Sequence, residues 1–307
     1  MELRGARIAV TGATGFLGRY IVRALRARDA RVVGVVRNPA RVPDLARDGV
    51  ELRRADLAEP DALAAGFAGT DAVVANAALL SLRRVRWEDY REANVRGTAN
   101  VLAAAHAAGV RRIVQISSVA VYRGHAGSVH EDAPQLTEES AGRFTRAYSL
   151  SKALAEQLAW RRAAELGLAL TTLRPCAIYG AFDPNFTAVF RRLVGVPVSV
   201  MPAWMRLPLV YAGDVAVAVA LALANDASIG RAYNVTGDDA TLWDFYAAWR
   251  AAGGPTPLVT VPIVVPLAWR YDHGRAAREL GWRNRPFADA LRETFALEAA
   301  AGAGGRS

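Results

Sequence analysis

The residues best suited to chemistry are Tyr148 and Lys152, in the run Tyr148-Ser149-Leu150-Ser151-Lys152, together with Ser118 earlier in the chain. On a helix, positions four apart share a face, so Tyr148 and Lys152 point the same way. A free phenol has a pKa of about 10 and exchanges protons poorly at neutral pH. A nearby ammonium favours the phenolate and lowers that value. A serine hydroxyl beside the phenol polarises a carbonyl or steadies an alkoxide. Ser118, Tyr148 and Lys152 therefore read as an acid/base set that moves a proton to or from an oxygen. The 38 basic residues include a single lysine, Lys152, and all the others are arginine. An arginine-rich chain that keeps one lysine at this position points to a site needing a compact ammonium rather than a planar fork. By itself a Tyr–Lys spacing of four also describes a solvated helix face, and its weight comes from the elements around it.

The first such element is the stretch Val10-Thr11-Gly12-Ala13-Thr14-Gly15-Phe16-Leu17-Gly18. An apolar run, Ile8-Ala9-Val10, leads into it, and a helical pattern (Tyr20, Ile21, Ala24, Leu25) leaves it. Three glycines thus sit on a strand-to-helix turn. Gly12 permits the tight turn, Gly15 lets backbone N–H groups approach a pyrophosphate, and Gly18 lets the helix pack on the strand. The helix N-terminus then presents unpaired donors and a partial positive charge to the anion. Gly12, Thr14, Gly15, Phe16, Leu17 and Gly18 are the candidate cofactor contacts of this turn.

Apolar runs at Arg7–Thr11, Arg31–Val36, Val50–Ala55, Asp71–Asn76, Arg111–Ser117 and Leu168–Leu173 read as strands. Helical patterns lie between them at roughly 15–28, 60–67, 86–108 and 146–166. Near-continuous apolar strands alternating with helices predict an α/β fold, a Rossmann-like doubly wound parallel sheet covered on both faces. Ligands bind such sheets beyond the carboxyl ends of the strands. Gly12, the residues after Val36, Asp56, Asn76 and Ser118 should then converge on one crevice.

After the second strand stands Val36-Arg37, where an NAD site usually places an acid to grip the adenosine ribose. Arg37, with Arg41 near it, suits a ribose 2′-phosphate, which predicts NADP in preference to NAD. Asp56-Leu57 after the third strand has two readings: a hydrogen bond to the adenine amino group, or a cap on the next helix.

The chain has 307 residues, of which 52% are hydrophobic and 22% charged. That suits one core domain with a smaller attached lobe. We divide it into a dinucleotide-binding domain over 1–175, a C-terminal substrate-binding lobe over 176–299 with segments returning to the sheet, and a disordered Gly/Ala-rich tail over 300–307. No apolar run of eighteen residues appears, so no membrane span or membrane partner is expected. One cysteine, Cys176, permits no internal disulfide and suits a cytoplasmic setting. The formal charge of +9 raises nucleic acid as a partner, but the arginines are spread along helical faces with no basic tail, and none is expected. No metal site is read.

The order of these motifs resembles the extended short-chain dehydrogenase/reductase family, the NAD(P)-dependent epimerase/reductase group, over nearly the whole chain. Thr11–Gly18 is similar to its TGxxGxxG loop, and Asn94-Val95-Arg96-Gly97-Thr98 to its NVxGT helix start. Ser118 falls on its catalytic Ser/Thr position, and Tyr148 and Lys152 on its YxxxK pair. Leu173-Arg174-Pro175-Cys176-Ala177-Ile178-Tyr179-Gly180 is similar to its LRPxxIYG segment, and Val210–Ala216 to its VHVxDVA segment. Tyr233-Asn234-Val235 and Glu279-Leu280-Gly281-Trp282 match later landmarks. The resemblance implies that Lys152 binds the nicotinamide ribose and lowers the Tyr148 pKa, and that Pro175, Ala177 and Ile178 border the nicotinamide. It also implies cofactor contacts from Asn76, Ala77, Ala78 and Asn94, with capping the simpler role for Asn94, and a homodimer paired through 86–108 and 146–166, whose alanines equally suit packing on the sheet.

Several departures bear on the activity. Asn76-Ala77-Ala78 replaces the family's HxAA, Val121-Tyr122-Arg123-Gly124 interrupts its VYG, and Tyr211 replaces a histidine. The stretch between Trp249 and Tyr271 is short and proline-rich. Val119-Ala120 after Ser118 lacks the acidic pair of the sugar-nucleotide dehydratases. Val36-Arg37 and the apolar lead Arg206-Leu207-Pro208-Leu209 favour an NADP(H)-dependent ketoreductase or alcohol dehydrogenase acting on a small organic substrate. The alternatives are an NAD-dependent nucleotide-sugar epimerase and a non-catalytic NADP-binding sensor or scaffold. Phe182, Phe186, Phe190, Met201, Trp204 and Met205 are candidates for an apolar substrate pocket, with ordinary packing as the plainer reading.

Overall fold

The expected strands form where the apolar runs lie. The computed structural model describes residues 1–81, 84–124, 127–142 and 145–304. Strands β1 (Arg7–Thr11), β2 (Arg31–Val36), β3 (Glu51–Arg54), β4 (Ala72–Ala75), β5 (Arg112–Ile116), β7 (Ala169–Pro175) and β11 (Ala232–Val235) make a seven-stranded sheet in the order β11-β7-β5-β4-β1-β2-β3. Every pairing in it is parallel. Successive side chains alternate between its faces. Ile8, Val10, Val32, Val74 and Val114 therefore enter one core, and Ala9, Val33, Val35, Val73 and Ile113 the other. Helices α1 (Phe16–Arg26) and α8 (Ala212–Ala224) pack together on the first side. Helices α3 (Pro60–Phe67), α5 (Gly97–Ala107) and α6 (Ala147–Leu166) pack together on the second.

The chain runs outward from β1 through β2 to β3, then returns to the other side of β1 as β4. The crevice between the ends of β1 and β4 is thus the switch point of the sheet, with Thr11 opposite Ala75 in the register.

The helix expected over 86–108 is less regular than its pattern. It begins as α4 (Trp87–Tyr90), passes through a π-helical turn at Arg91–Arg96 and continues as α5. Helix α6 ends at Gly167, which turns at φ +63°. Its sheet-facing stripe contains Ala155, Ala159 and Ala163, which allow close approach, but also Lys152 and Glu156.

The smaller lobe carries α7 (Phe186–Val194), α9 (Leu242–Ala251) and α11 (Phe287–Gly304) around an aromatic cluster. Phe190 meets Phe245 at 4.9 Å and Trp249 at 5.2 Å, and Trp249 meets Phe295 at 4.9 Å. Its strands pair two by two: β8 (Ala177–Tyr179) with β10 (Leu209–Tyr211), β9 (Val198–Pro202) with β12 (Val259–Ile263), and β6 (Ser128–Val129) with β13 (Arg270–Tyr271). The remaining helices are α2 (Pro43–Arg47) and α10 (Gly274–Leu280). Helix α11 runs as far as Gly304, into the stretch expected to be a disordered tail over 300–307. Residues 305–307 lie outside the described residues.

Candidate active site

Gly12 turns at φ +66°, and a Cβ there would stand 2.9 Å from the Cα of Ala77. A Cβ on Gly18 would lie 2.0 Å from the Gly12 carbonyl oxygen, so Gly18 sets the contact of α1 with the turn. Gly15 is the N-cap of α1, with no side-chain cap and no acid in the first turn. The first N–H groups of an eleven-residue helix therefore face the crevice as donors for an anion. Thr11, which the sequence reading passed over, ties the two switch-point strands together. Its hydroxyl accepts from the backbone N–H of Asn76 and of Ala77, each at 3.1 Å. The Asn76 amide donates to the Gly12 carbonyl at 3.2 Å and so braces the turn.

One cavity of about 1390 Å³ runs from this turn across the carboxyl ends of the strands. It brings together Gly12, Thr14, Gly15, Phe16, Leu17, Arg37, Asp56, Leu57, Asn76, Ala77, Ala78, Ser118, Tyr148, Lys152, Pro175, Ala177 and Ile178. Two of the candidate residues do not line it. Gly18 lies behind the turn in the packing role its lack of a side chain allows. Asn94 is buried in the π-helical turn, where it neither lines the cavity nor caps a helix. Its Oδ1 accepts from the Leu79 N–H at 2.7 Å, and its Nδ2 donates to the Leu79 carbonyl and to Ser151 Oγ. Ser151 in turn donates to the Tyr148 carbonyl at 2.8 Å. Asn94 thus clamps the segment after β4 to the helix that carries Tyr148. The wide π-helical turn presents it there, which a regular 3.6-residue reading does not anticipate.

At the adenosine end, Arg37 is exposed and makes no ion pair among the described residues. Asp56 lines the cavity, and its Oδ1 accepts from the Ala58 N–H at 3.0 Å. That closes a local turn, and the N-cap of α3 is Glu59 instead.

At the reacting end, Ser118 Oγ accepts from the Ala120 N–H at 3.1 Å. Burial pushes the Tyr148 phenol up to about 12, a hydrogen bond to Ser118 pulls it back, and Tyr90, edge-on at 6.2 Å, adds to the rise. The Lys152 ammonium donates to the Ile116 carbonyl at the end of β5, at 2.8 Å. Burial brings Lys152 down to about 8, opposed by the charge of Glu156.

Glu156 continues the four-residue stripe of Tyr148 and Lys152, and that spacing was the signal that would have found it. Its carboxylate is fully buried against Arg174, whose Nε donates to both oxygens at 3.0 and 3.1 Å. Burial pushes the Glu156 carboxyl up, but the Arg174 charge and hydrogen bonds outweigh it and hold the group below its ordinary value. Arg174 Nη1 donates to the Tyr122 hydroxyl and to the Glu131 carbonyl, each at 2.7 Å. The Tyr122 hydroxyl donates to Asn234 on β11 at 2.6 Å. This network joins α6, β7 and β11 beneath the reacting groups.

Leu79, Val119, Phe186, Val189, Leu207 and Trp269 line the same cavity together with Arg146, Asp183 and Asn185, and Tyr122 is stacked on Tyr271 at 6.0 Å. Of the six expected pocket residues only Phe186 lines it. Phe190 and Met201 are core, and Met205 packs on the core. Phe182 and Trp204 are exposed. Residues 82, 83, 125, 126, 143 and 144 lie outside the described residues.

Residues 8–236 match the model of the NAD dependent epimerase/dehydratase family. The chain is similar to the 2-alkyl-3-oxoalkanoate reductase of Stenotrophomonas maltophilia, 36% identical over 178 residues, 58% of this chain and 52% of that protein. The chain thus spans about half the length of that relative. It is also similar to sterol demethylase protein B of Methylococcus capsulatus, 32% identical over 263 residues, 82% of this chain and 76% of that protein. Its fold is similar to a UDP-glucose-4-epimerase of Stenotrophomonas maltophila solved with bound NAD and formylated UDP-arabinopyranose. That match has a TM-score of 0.81 and 23% identity, and covers 97% of this chain and 99% of the other.

Proposed function

This chain belongs to the NAD dependent epimerase/dehydratase family, within the extended short-chain dehydrogenase/reductase group, and we propose that it is an NADP(H)-dependent ketoreductase or alcohol dehydrogenase acting on a small organic substrate. The observation that carries this reading is the meeting of Ser118, Tyr148 and Lys152 in one cavity with the open helix N-terminus and the unpaired Arg37. The cofactor fits the residues present: the glycine turn leaves room where a Cβ would collide, and the first turn of α1 lacks any competing cap. When bound, the nicotinamide supplies or accepts the hydride.

The chain's own groups do the rest. The N–H groups of the turn and of α1 take the pyrophosphate. Arg37 takes the ribose 2′-phosphate in a charge-assisted bidentate contact. Lys152 exchanges the Ile116 carbonyl for the nicotinamide ribose, and Pro175, Ala177 and Ile178 border the ring. In the reductive direction Ser118 donates a hydrogen bond to the substrate carbonyl oxygen, and Tyr148 gives that oxygen its proton. A phenol at about 12 is fully protonated at neutral pH, the form a proton donor needs. The apolar residues Phe186, Leu207 and Trp269 in the cavity wall support a reductase acting on an apolar carbonyl compound, while Arg146 in the same lining is the group a nucleotide-sugar epimerase could use for a substrate phosphate. A homodimer through α5 and α6 belongs to the same reading and is checked by sedimentation.

The test is to denature the purified protein, identify any released cofactor by mass, and titrate the emptied protein with NADPH and NADH. An empty protein that prefers NADPH supports the proposal, and tightly retained NAD⁺ overturns it in favour of an epimerase. Tyr148→Phe should then keep its NADPH affinity while turnover of a carbonyl substrate falls by roughly 10²–10⁴. Full activity in that variant sinks the assignment of Tyr148.

A further inference from the structure

Among the described residues three cations line the cavity: Arg37, Arg146 and Lys152. Arg37 stands at the adenosine end, and Lys152 is held by the Ile116 carbonyl. Arg146 has neither tie. It is exposed and opens α6 as its N-cap, and its side chain makes no hydrogen bond or ion pair among the described residues. The acids of the same lining are already answered. Asp89 accepts from Arg86 Nε and Nη2, and Glu92 pairs with Arg96. Asp183 accepts from the N–H groups of Asn185 and Thr187, and Asp56 from that of Ala58. An arginine left without an acid in such a cavity is a two-pronged donor for an anion that enters it.

The order of residues along α6 indicates which molecule brings that anion. Lys152, Tyr148 and Arg146 follow one another toward the helix N-terminus, at about 1.5 Å per residue. Lys152 lies against the end of β5, and Tyr148 carries the proton. Arg146 comes next, beyond the proton donor and on the side away from Lys152. Two residues apart on a regular helix would diverge. Arg146 has extended backbone instead, with φ −69° and ψ 131°, and it lines the cavity alongside Tyr148. Side chains on a helix tilt toward its N-terminus, so the Tyr148 phenol leans toward the end that Arg146 opens. A group held by Arg146 therefore belongs to the molecule whose oxygen Tyr148 protonates. The phosphates of the cofactor have their own donors at α1 and Arg37. The rest of that molecule meets Phe186, Val189, Leu207 and Trp269, which line the same cavity and carry no charge.

We propose that Arg146 sets substrate choice by holding an anionic group, a carboxylate or a phosphate ester, on a carbonyl compound whose remainder is apolar. This rests on the ketoreductase reading and narrows its substrate class.

The test is calorimetry on the full chain, with and without NADPH, using decanoate, decyl phosphate, decanamide and UDP as probes. Decanoate or decyl phosphate should bind roughly tenfold or more tightly than decanamide. The tighter of the two identifies the anion. Arg146→Gln should remove that preference and Arg146→Lys should keep part of it, since lysine retains the charge without the fork. Equal binding of decanamide and both anions overturns the proposal, as does a preference that survives in Arg146→Gln. UDP bound more tightly than either aliphatic anion, and lost in Arg146→Gln, overturns it in favour of a nucleotide phosphate. In turnover with NADPH, 4-oxodecanoate should have a KM roughly tenfold below that of its methyl ester, and Arg146→Gln should close that gap. The two readings fail separately. An anion preference in calorimetry with neither ketone reduced keeps the anion site and sinks the reductase. Reduction of both ketones at equal KM sinks the anion site alone.

Discussion

Replacing Glu156 by Gln should destabilise the protein far more than its loss of one charge at a helix surface would suggest. The substitution keeps the volume and removes the carboxylate that accepts Arg174 Nε at 3.0 and 3.1 Å in a site with 0% exposure on the acid and 4% on the base. Arg174 would remain buried with a full charge and no counter-charge, keeping as acceptors one amide oxygen, the Tyr122 hydroxyl and the Glu131 carbonyl, while the new amide N–H groups face its own donors. Breaking a buried pair on one side costs about 3–5 kcal/mol. For a chain of this size that is a fall in melting temperature on the order of 10 °C. The double variant Glu156→Gln/Arg174→Met removes the orphaned charge and should recover much of the loss. It still leaves the Glu131 carbonyl without its donor, a residual cost of about 1–3 kcal/mol. The pH dependence has a defined sign. Arg174 holds the Glu156 carboxyl below its ordinary value, so the pair stabilises fully above the ordinary carboxylate range. That contribution is lost as pH falls through the folded value, and the gap between parent and variant should close in acid. Thermal melts followed by circular dichroism, with both singles and the double, measure all of this. A Glu156→Gln variant melting within about 2 °C of the parent would refute the claim that this pair holds α6 to β7. There is a second readout at the site itself. Glu156 raises the Lys152 pKa, so its removal should drop Lys152 further below about 8 and weaken cofactor binding at neutral pH.

Gly18→Ala places a methyl 2.0 Å from the Gly12 carbonyl, so α1 must move; we expect a loss of about 2–4 kcal/mol in urea melts and at least a tenfold weaker NADPH titration. Arg37→Ser should weaken NADPH by roughly ten- to a hundredfold and leave NADH nearly unchanged, since it removes a charge-assisted contact made only to the 2′-phosphate. Equal losses for both cofactors would detach Arg37 from the choice between them. Burial brings Lys152 down to about 8, so NADPH affinity should fall as pH rises through that value and the ammonium is lost. Fluorescence titrations across the alkaline range test this, and Lys152→Met should flatten the profile.

Much of the cavity's lining was legible in the sequence because each signal is local. The glycine turn needs only a strand, three small residues and a helix in succession, and Tyr148 and Lys152 need only helical spacing. Near-continuous apolar runs alternating with helical patterns were enough to predict six of the seven strands, all but the edge strand β11, and the parallel sheet. Tertiary structure decided the rest, because those features depend on residues far apart in the chain. Glu156 meets Arg174, Asn94 meets Leu79 and Ser151, and Thr11 meets Asn76 and Ala77 only once the strands and helices have been brought side by side. Burial, which pushes the Tyr148 phenol up and the Lys152 ammonium down, also depends on the surrounding fold and is not read from helical spacing. The pairing of β9 with β12 was equally hidden. Its valines are unremarkable in sequence, and only the register of β9 on β12 turns them to one side and leaves them in water. Periodicity along a chain tells which face of an element is apolar. Which partner that face meets, and which charge a buried group must answer, is settled by contacts that close long loops.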